Sequence, residues 1–292
     1  MISGDLTGKS FLVTGANSGI GRITADVLAE RGGRVILATR SEPRTLPVLD
    51  EIGKRYPGAD VEFMLLDVSD LVSVRQAAAR FLASGKPLDV LINNAGVAAT
   101  TGLSPQGFDL TYATNHIGPF LLTELLLPRL RESPQGRIVN VSSGAHAMVK
   151  QFDWSRLEVQ SAPTTAGLRD YGATKLMNIL HAAELARRLT GTGVTTYALH
   201  PGAVATNVWR SLPRPIQWFI KLFMLTSEQG ARTTLYCATA PELAAVSGRY
   251  YEKSRERTPS RAARDPELAK ELWQRTEAAI ASVPPPALGS SS

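Results

Sequence analysis

Short apolar runs alternate with amphipathic stretches along most of the chain. Each run is brief and rich in β-branched residues, as is typical of strands that are buried on both faces. Strands and helices in alternation favour a parallel sheet joined by right-handed crossovers. We therefore predict an α/β protein with a single doubly wound parallel sheet and helices on both faces. The predicted strands lie in the segments KSFLVTG, RVILATR, VEFMLLDVSD, LDVLINNAG, GRIVNVSS and GVTTYALHPG.

The same pattern predicts long helices and a single domain. One helix is expected from about Asp109 to Arg131, and the helix that carries Tyr171 is expected to end near Leu189. A last helix begins after Asp265, a favourable N-cap residue. No interdomain linker or repeat interrupts the alternation, so residues 1–283 are predicted to form one domain. The end of the chain, 284–292, is rich in proline and serine and is predicted to be a flexible tail.

Composition limits the classes of function. The chain has 292 residues, 43% of them hydrophobic, and a formal net charge of +6. Part of that charge lies in one segment, where no aromatic residues are interleaved in the manner of a nucleic-acid site. We predict a solvated loop and no nucleic-acid partner, with Tyr250 and Tyr251 in a strand. The basic residues are Arg249, Lys253, Arg255, Arg257, Arg261 and Arg264.

Cysteine usage and apolar run lengths point to a cytoplasmic protein. Cys237 is the single cysteine of the chain, so an internal disulfide is excluded and a reducing compartment is expected. No Cys/His cluster has the spacing of a metal site, and we predict no metal. The first residues, MISGDLTGKS, lack the pattern of a signal peptide. No run approaches the roughly 18 apolar residues of a membrane span, so no stable membrane anchor is expected.

A glycine-rich turn, TGANSGIG, follows the first predicted strand and opens a helix. In this context Gly15 permits a tight turn, Gly19 lets the backbone approach a pyrophosphate, and Gly21 lets the helix pack closely. The helix N-terminus then offers free N–H groups to phosphate. The alternative is a turn that binds no ligand, but the glycine spacing and the position after a strand favour a Rossmann-type dinucleotide site. The predicted binding residues of the turn are Gly15, Asn17, Ser18, Gly19, Ile20 and Gly21.

The end of the second predicted strand indicates which dinucleotide binds. An acidic residue there would hydrogen-bond the ribose 2′-hydroxyl of NAD, but Thr39 occupies the expected place. Arg40 follows, and Arg22 lies just after the glycine turn. Guanidinium groups bind phosphate through paired donors, so these residues predict a preference for NADP(H) over NAD(H). The alternative is that both are surface arginines.

Further motifs give the chain a resemblance to the short-chain dehydrogenase/reductase superfamily, from Leu6 to about Tyr251. Their order and approximate spacing also match. VSSGAH and YGATKLMNILHAAELARRL are most similar to the retinol-dehydrogenase-like branch. The motifs are TGANSGIG, Asp67-Val68, NNAG at 93–96, Asn115 in TNHIGPFLLT, VSS at 141–143, Tyr171-x-x-x-Lys175 and HPGAVAT at 200–206.

The resemblance implies a catalytic set. Tyr171 would be the general acid in carbonyl reduction and the base in alcohol oxidation. Lys175, one helical turn away, would lower the pKa of the phenol and hold the ribose hydroxyls of the nicotinamide. Ser143, rather than Ser142, would polarise the substrate oxygen. Asn115 would hold a water in a proton relay toward Lys175.

The resemblance also implies cofactor contacts beyond the glycine turn. The residues after the third strand would contact adenine, and those after the fourth would line the adenosine ribose and support the central strand. The residues after the sixth strand would hold the nicotinamide carboxamide. Tyr171 and Lys175 would complete the cofactor site. These contacts are assigned to Asp67, Val68, Asn93, Ala95, Gly96, Pro201, Gly202, Val204 and Thr206.

Two sequence features concern the substrate, a segment in the lid position and an insertion before Tyr171. Residues 207–226 occupy the family's lid position, and their aromatic side chains favour a lipophilic substrate, although a subunit interface or a membrane surface are alternatives. An insertion separates Ser143 from Tyr171. The remaining candidate bases, His116, His146 and His200, are interpreted as structural.

The sequence thus predicts an NADP(H)-dependent oxidoreductase that interconverts a lipophilic ketone or aldehyde and its alcohol. The alternatives are an NADP(H)-binding regulator with little turnover, and an epimerase or dehydratase on the same scaffold. Relatives in the family often pair through helix faces, which implies a homodimer or homotetramer.

Overall fold

A computed structural model describes residues 4–98, 100–162, 167–202 and 226–283. Within these ranges eight strands form one sheet in the order β3-β2-β1-β4-β5-β6-β7-β8. The first seven strands are parallel and β8 pairs antiparallel to β7. The strands are β1 (Ser10–Thr14), β2 (Arg34–Thr39), β3 (Val61–Leu65), β4 (Val90–Asn93), β5 (Arg137–Val141), β6 (Thr195–His200), β7 (Arg249–Glu252) and β8 (Arg255–Glu256).

Helices cover both faces of the sheet, which confirms the predicted doubly wound fold. Alternating side chains of β1 enter the two apolar layers, with Leu12 on one side and Phe11 and Val13 on the other. α3, α5, α6 and α8 cover the face of Leu12, and α1, α2 and α7 cover the opposite face. The helices are α1 (Gly19–Glu30), α2 (Glu42–Arg55), α3 (Leu71–Ala83), α4 (Leu110–Tyr112), α5 (Gly118–Glu132), α6 (Leu168–Arg188), α7 (Ser227–Thr239) and α8 (Pro266–Ala281).

The helix predicted from Asp109 to Arg131 is interrupted by a π turn. Asp109 accepts a hydrogen bond from the N–H of Thr111 at 2.9 Å and caps the short α4. The π turn then spans Ala113–Ile117, and α5 continues from it. Such turns insert one extra residue into a helix and are frequent at functional sites. Here the turn contains Asn115.

The predicted N-cap at Asp265 is confirmed, and a second helix has a capping box that was not predicted. The carboxylate of Asp265 accepts hydrogen bonds from two N–H groups in the first turn of α8. Thr226 forms a capping box at the start of α7, a helix in which Cys237 is fully buried. Apart from Thr226, the predicted lid at 207–226 lies outside the described residues, as does the predicted tail.

The basic segment predicted as a solvated loop forms a hairpin in its first part. β7, which contains Tyr250 and Tyr251, is confirmed as a strand. Arg249 pairs with Glu256 across the hairpin at 3.5 Å. The two loop residues, Lys253 and Ser254, have φ values of 53° and 55°. This left-handed backbone suits the twist of a two-residue hairpin but favours Asn and Gly over Lys and Ser.

Replacing the loop by its preferred residues is expected to stabilise the protein. We expect K253N/S254G to raise the free energy of unfolding by about 1 kcal/mol, because both positions already require the left-handed conformation. Thermal unfolding would measure this gain. The control K253A removes the same charge but puts a side chain that disfavours positive φ at this position, and it is expected to bring no gain. Equal melting temperatures for K253N/S254G and K253A would contradict the argument.

A buried aromatic cluster joins α5, α6 and α8. The ring of Phe120 lies 4.7 Å from Trp273 and 5.0 Å from His181. The ring of His116 lies 6.1 Å from His181, and its Nε2 is 3.0 Å from the hydroxyl of Thr276. Burial lowers the pKa of both histidines from 6.5 to about 3. Both are therefore neutral in the folded protein at neutral pH.

This cluster predicts acid sensitivity. Between pH 3 and 6.5 these histidines bind protons in the unfolded chain but stay neutral in the folded one. Their contribution to the free energy of unfolding is therefore fully present above pH 6.5 and is lost progressively as the pH falls. Each histidine contributes a slope of up to about 1.4 kcal/mol per pH unit. We expect H181F to lower this slope in melting curves recorded from pH 7 to 4.5. T276V removes the partner of His116 but no titrating group, so it should destabilise at every pH with an unchanged slope.

Candidate active site

The glycine turn is attached to the loop that follows β4. The hydroxyl of Thr14 accepts hydrogen bonds from the N–H groups of Asn94 and Ala95, each at 3.0 Å. The amide of Asn94 donates to the carbonyl of Thr14 at 2.8 Å. β1 and β4 are parallel neighbours, so their carboxyl ends meet at one edge of the sheet. This edge is where open α/β sheets bind ligands.

Glycine is required at several positions of the turn. Gly15 and Gly19 have φ values of +67° and +55°. A Cβ on Gly21 would collide with the side-chain amide of Asn94 and the carbonyl of Gly15. The backbone is therefore held close to the N-terminus of α1, a cradle that fits a pyrophosphate. The remaining residues predicted for the turn lie in the same segment and are Asn17, Ser18 and Ile20.

The end of β2 presents arginine and no acid. Thr39 is buried, and its hydroxyl lies 2.5 Å from the hydroxyl of Thr45, so this side chain faces α2. Arg40 is exposed. Arg22 forms an ion pair with Glu51 of α2, and both side chains are partly exposed. Arg40 can therefore meet a phosphate directly, whereas Arg22 must first leave Glu51.

The loop after β3 has an ordered acid. One carboxylate oxygen of Asp67 accepts hydrogen bonds from the N–H of Ser69 at 2.9 Å and from its hydroxyl at 2.6 Å. The carbonyl of Val68 lies where a side chain on Gly118 would stand. Gly118 therefore lets the start of α5 approach this loop. It was not predicted as a functional residue, although a lone glycine inside an apolar helical pattern often has a packing reason.

Asn93 supports the central strand. Its side chain is buried and donates to Asn140 at 2.9 Å and to Thr123 at 3.0 Å. Asn93 was expected both to support the central strand and to line the adenosine ribose. These contacts fit the first role, and the ribose would then be lined by other residues. The next residue, Asn94, makes the contacts with the glycine turn and was not predicted.

The catalytic residues predicted from the sequence lie on adjacent elements. Tyr171 and Lys175 are buried on α6, and the ammonium of Lys175 lies 5.5 Å from the centroid of the tyrosine ring. Ser143 begins a turn of 3-10 helix at the end of β5 and hydrogen-bonds the phenol of Tyr171. A Cβ on Gly172 would lie 2.7 Å from the carbonyl of Ala145, so this glycine lets α6 approach the turn. The structure therefore brings phenol, hydroxyl and ammonium together.

Burial dominates the ionisation of this pair. It lowers the pKa of Lys175 from 10.5 to about 8 and raises the pKa of Tyr171 above its ordinary value. The hydrogen bond with Ser143 acts in the opposite direction on the phenol, but it is the smaller effect. The expected lowering of the phenol pKa by Lys175 is not found in this arrangement, where burial is the main influence and Ser143 the opposing one. Tyr171 is protonated at neutral pH, the form that a general acid requires.

Asn115 is held by the loop after β4. Its side chain accepts from the N–H of Val97 at 2.8 Å and donates to the carbonyl of Val97 at 2.8 Å. It also donates to the hydroxyl of Thr174 on α6 at 3.0 Å. A Cβ on Gly96 would lie 3.3 Å from Asn115 Oδ1 and 3.4 Å from Lys175 Nζ. Gly96 therefore leaves space over the residues predicted to form the proton relay.

Ser142 has a structural role. Its hydroxyl donates to the carbonyl of Lys175 at 2.6 Å, and its side chain is buried. This contact joins β5 to α6 and occupies the hydroxyl. The choice of Ser143 over Ser142 as the substrate-facing serine is consistent with this geometry.

His146 orients the turn of Ser143. Its Nδ1 lies 2.7 Å from the carbonyl of Ser143, and its Nε2 accepts from the N–H of Ser260 at 3.1 Å. Nδ1 is therefore the protonated nitrogen, and burial keeps the pKa of this imidazole low. A cavity of about 540 Å³ adjoins the turn. Its described wall includes His146, His200, Tyr250, Glu252 and Pro259, so polar and apolar surface line it in about equal parts.

The residues expected at the nicotinamide are described only in part. Pro201 and Gly202 follow β6, and Gly202 has a φ of +91°. Val204 and Thr206 lie outside the described residues. The carboxyl end of β6 adjoins that of β5, so Pro201 and Gly202 lie at the same sheet edge as Ser143.

Comparison with known proteins fits this geometry. A family model described as short chain dehydrogenase matches residues 9–155. The chain is 43% identical to dehydrogenase/reductase SDR family member 13 of Bos taurus, over 92% of this chain and 72% of that protein. It is 44% identical to retinol dehydrogenase 11 of Homo sapiens, over 92% and 84%. The chain belongs to the short-chain dehydrogenase family, in its retinol-dehydrogenase-like branch, as the sequence motifs predicted.

Solved structures share the fold. An uncharacterised protein from Mycobacterium paratuberculosis aligns with a TM-score of 0.74 at 32% identity, covering 95% of each chain. A protein from Beutenbergia cavernae, described as an NAD(P)-dependent gluconate 5-dehydrogenase with bound NADP at low occupancy, aligns with a TM-score of 0.68 at 25% identity. That alignment covers 85% of this chain and 96% of the other. These similarities support a dinucleotide-dependent oxidoreductase and leave the choice between NAD and NADP open.

Proposed function

We propose that the protein is an NADP(H)-dependent alcohol dehydrogenase or carbonyl reductase acting on a lipophilic ketone or aldehyde and its alcohol. Family membership supports oxidoreduction by hydride transfer. The observation that carries the proposal is the convergence of Tyr171, Ser143, Lys175 and Asn115 at the carboxyl edge of the sheet, beside the glycine turn.

The residues present fit a nicotinamide dinucleotide. The glycine turn and the N-terminus of α1 would hold its pyrophosphate, Asp67 its adenine and Lys175 its ribose. A bound cofactor would supply or accept the hydride. Ser143 would hydrogen-bond the carbonyl oxygen, and Tyr171 would donate its proton to that oxygen as the hydride reaches carbon. In the reverse direction the ionised phenol would take the proton from the alcohol.

Removing the phenolic proton is expected to abolish most turnover. We expect Y171F to lower kcat for carbonyl reduction by about 100- to 10,000-fold, since the general acid is lost while the ring remains. NADPH consumption, measured across ketones, aldehydes and retinoids, gives both the best substrate and this ratio.

Y197F is the matched control. Tyr197 is also buried, and its hydroxyl hydrogen-bonds Thr195 and the carbonyl of Leu243 away from the site. We expect Y197F to cost stability and to leave kcat near the wild-type value. Wild-type turnover by Y171F would show that Tyr171 is not the acid.

Arg40 supports the NADP(H) preference. Within the described ranges it is an exposed guanidinium at the end of β2, where NAD-specific sites carry an acid. We expect R40A to weaken NADPH binding by about 10- to 100-fold and NADH binding very little, because a charge-assisted phosphate contact is lost. Fluorescence titration of both cofactors would measure the two dissociation constants.

R44A is the control for this prediction. Arg44 is also exposed, but it is the third residue of α2 and lies four residues after Arg40. Its loss should leave both affinities nearly unchanged. A wild-type protein that binds NADH more tightly than NADPH would contradict the preference itself.

The proposal also covers the location, the oligomeric state and the domain organisation of the protein. A cytoplasmic location is supported by the lone thiol of Cys237, which is buried and reduced. Among the described helices, none has the length and apolarity needed to cross a bilayer. A homodimer or homotetramer and a single catalytic domain over 1–283 complete the proposal. The presence of Tyr171, Lys175 and Ser143 together favours turnover over a purely regulatory role.

A further inference from the structure

Arg156 connects the insertion between Ser143 and Tyr171 to the catalytic elements by charge. The segment 152–160 contains a turn of 3-10 helix, Trp154–Leu157, and Arg156 projects from it with 22% of its side chain exposed. Its guanidinium forms ion pairs with Asp109 at 3.5 Å and with Asp170 at 3.5 Å. Asp109 caps α4, which leads into the π turn of Asn115, and Asp170 lies in the first turn of α6, directly before Tyr171.

Asp170 lies directly before the catalytic tyrosine. One of its carboxylate oxygens accepts from the N–H of Gly167 at 3.0 Å, which closes the first turn of α6. The other accepts from the hydroxyl of Tyr112 at 3.2 Å and faces Arg156. Burial and the charge of Asp170 raise the pKa of Tyr112, so this phenol stays protonated and remains a donor. Asp170 thus ties the start of α6 to α4 and to the insertion.

Asp109 connects Arg156 to α4, as Asp170 connects it to α6. Its side chain is 1% exposed and caps α4, and the π turn that contains Asn115 begins where α4 ends. A buried carboxylate is costly unless a cation or hydrogen bonds compensate it. Arg156 supplies positive charge to Asp109 and Asp170 at once. The guanidinium therefore joins the N-terminal ends of α4 and α6 through their two carboxylates.

We propose that Arg156 is a positioning residue, which clamps the N-terminal turn of α6 to α4 and so fixes the phenol of Tyr171 against Ser143 and Asn115. The role that the sequence left open for the insertion is then to supply this cation from outside the two helices. Arg156 touches no reacting atom and acts through Asp170 and Asp109. This inference rests on the proposed oxidoreductase function for its kinetic readout, but the clamp itself can be measured without turnover.

The test uses R156M, which removes the charge and keeps the apolar stem. We expect kcat for reduction to fall at least about tenfold, since a small displacement of a catalytic group costs that much or more. The KM for NADPH should change less than kcat, because the cofactor residues that follow β1 and β2 are untouched and only Tyr171 and Lys175 lie in the loosened segment. The kinetic isotope effect, measured with NADPH deuterated at the transferred position, should differ between R156M and wild type, because the substitution alters the chemical step. R156K keeps a charge but cannot span two carboxylates, so partial recovery is expected.

Two matched controls separate the clamp from general loosening of the insertion. D153A removes the third carboxylate near Arg156, which lies 3.8 Å away and is 63% exposed. R275M removes the guanidinium that lies 4.8 Å from the ring of Trp154, another attachment of the same segment. Both variants should keep wild-type kcat and isotope effect. A loss in R275M equal to that in R156M would show that the insertion acts only as packing.

Hydrogen exchange provides the measurement that needs no activity. Backbone amides of 168–175 should exchange faster in R156M than in wild type, D153A or R275M at a temperature well below unfolding. Unchanged exchange in 168–175, or wild-type kcat in R156M, would overturn the clamp. If wild type turns over no carbonyl compound, the proposed function fails, and the exchange data alone decide whether Arg156 holds the helix.

Discussion

A lysine ammonium that is removed from water needs acceptors, and the arrangement of the site follows from how this need is met at Lys175. The side chain is buried, and Nζ donates to the carbonyl of Val141 at 3.0 Å. Asn178 donates to the same carbonyl at 3.2 Å, and Ser142 bonds the backbone carbonyl of Lys175. The last residue of β5 is thereby locked to the middle of α6. In the proposed function, ribose hydroxyls of the cofactor would accept from the ammonium as well.

The same constraint sets the protonation states of the pair. Desolvation lowers the pKa of Lys175 to about 8 and raises that of Tyr171, so the resting site has a largely charged lysine beside a neutral phenol. A neutral phenol is ready to donate in reduction. For oxidation the phenolate must form, and a bound oxidised nicotinamide would add the positive charge that burial withholds. In the proposed function, the charge of the bound cofactor would therefore favour the protonation state of Tyr171 that each direction requires.

Much of the cofactor half of this site could be predicted from the sequence, because it depends on backbone geometry. Glycine spacing after a strand has one main structural meaning, and parallel strands necessarily bring Gly15, Gly96 and Ser143 to one edge. The antiparallel β8 was missed, since two residues leave no periodic signal. The π turn at Asn115 was also missed, because one inserted residue barely disturbs a helical apolar pattern. Two adjacent asparagines likewise give no sign of which one enters the core.

Arg156 illustrates why the substrate half of the site could not be predicted from the sequence in the same way. Its partners Asp109 and Asp170 lie 47 residues before it and 14 after it, and no local pattern joins them. Their encounter requires that α4 and α6 already be packed side by side by the sheet. Backbone-determined contacts can be shared by many sequences, whereas this contact depends on three specific charged side chains. The cofactor side of the fold can therefore be predicted from sequence motifs. The geometry around Tyr171 depends on ion pairs between residues that are distant in sequence, and these contacts are seen only in the three-dimensional structure.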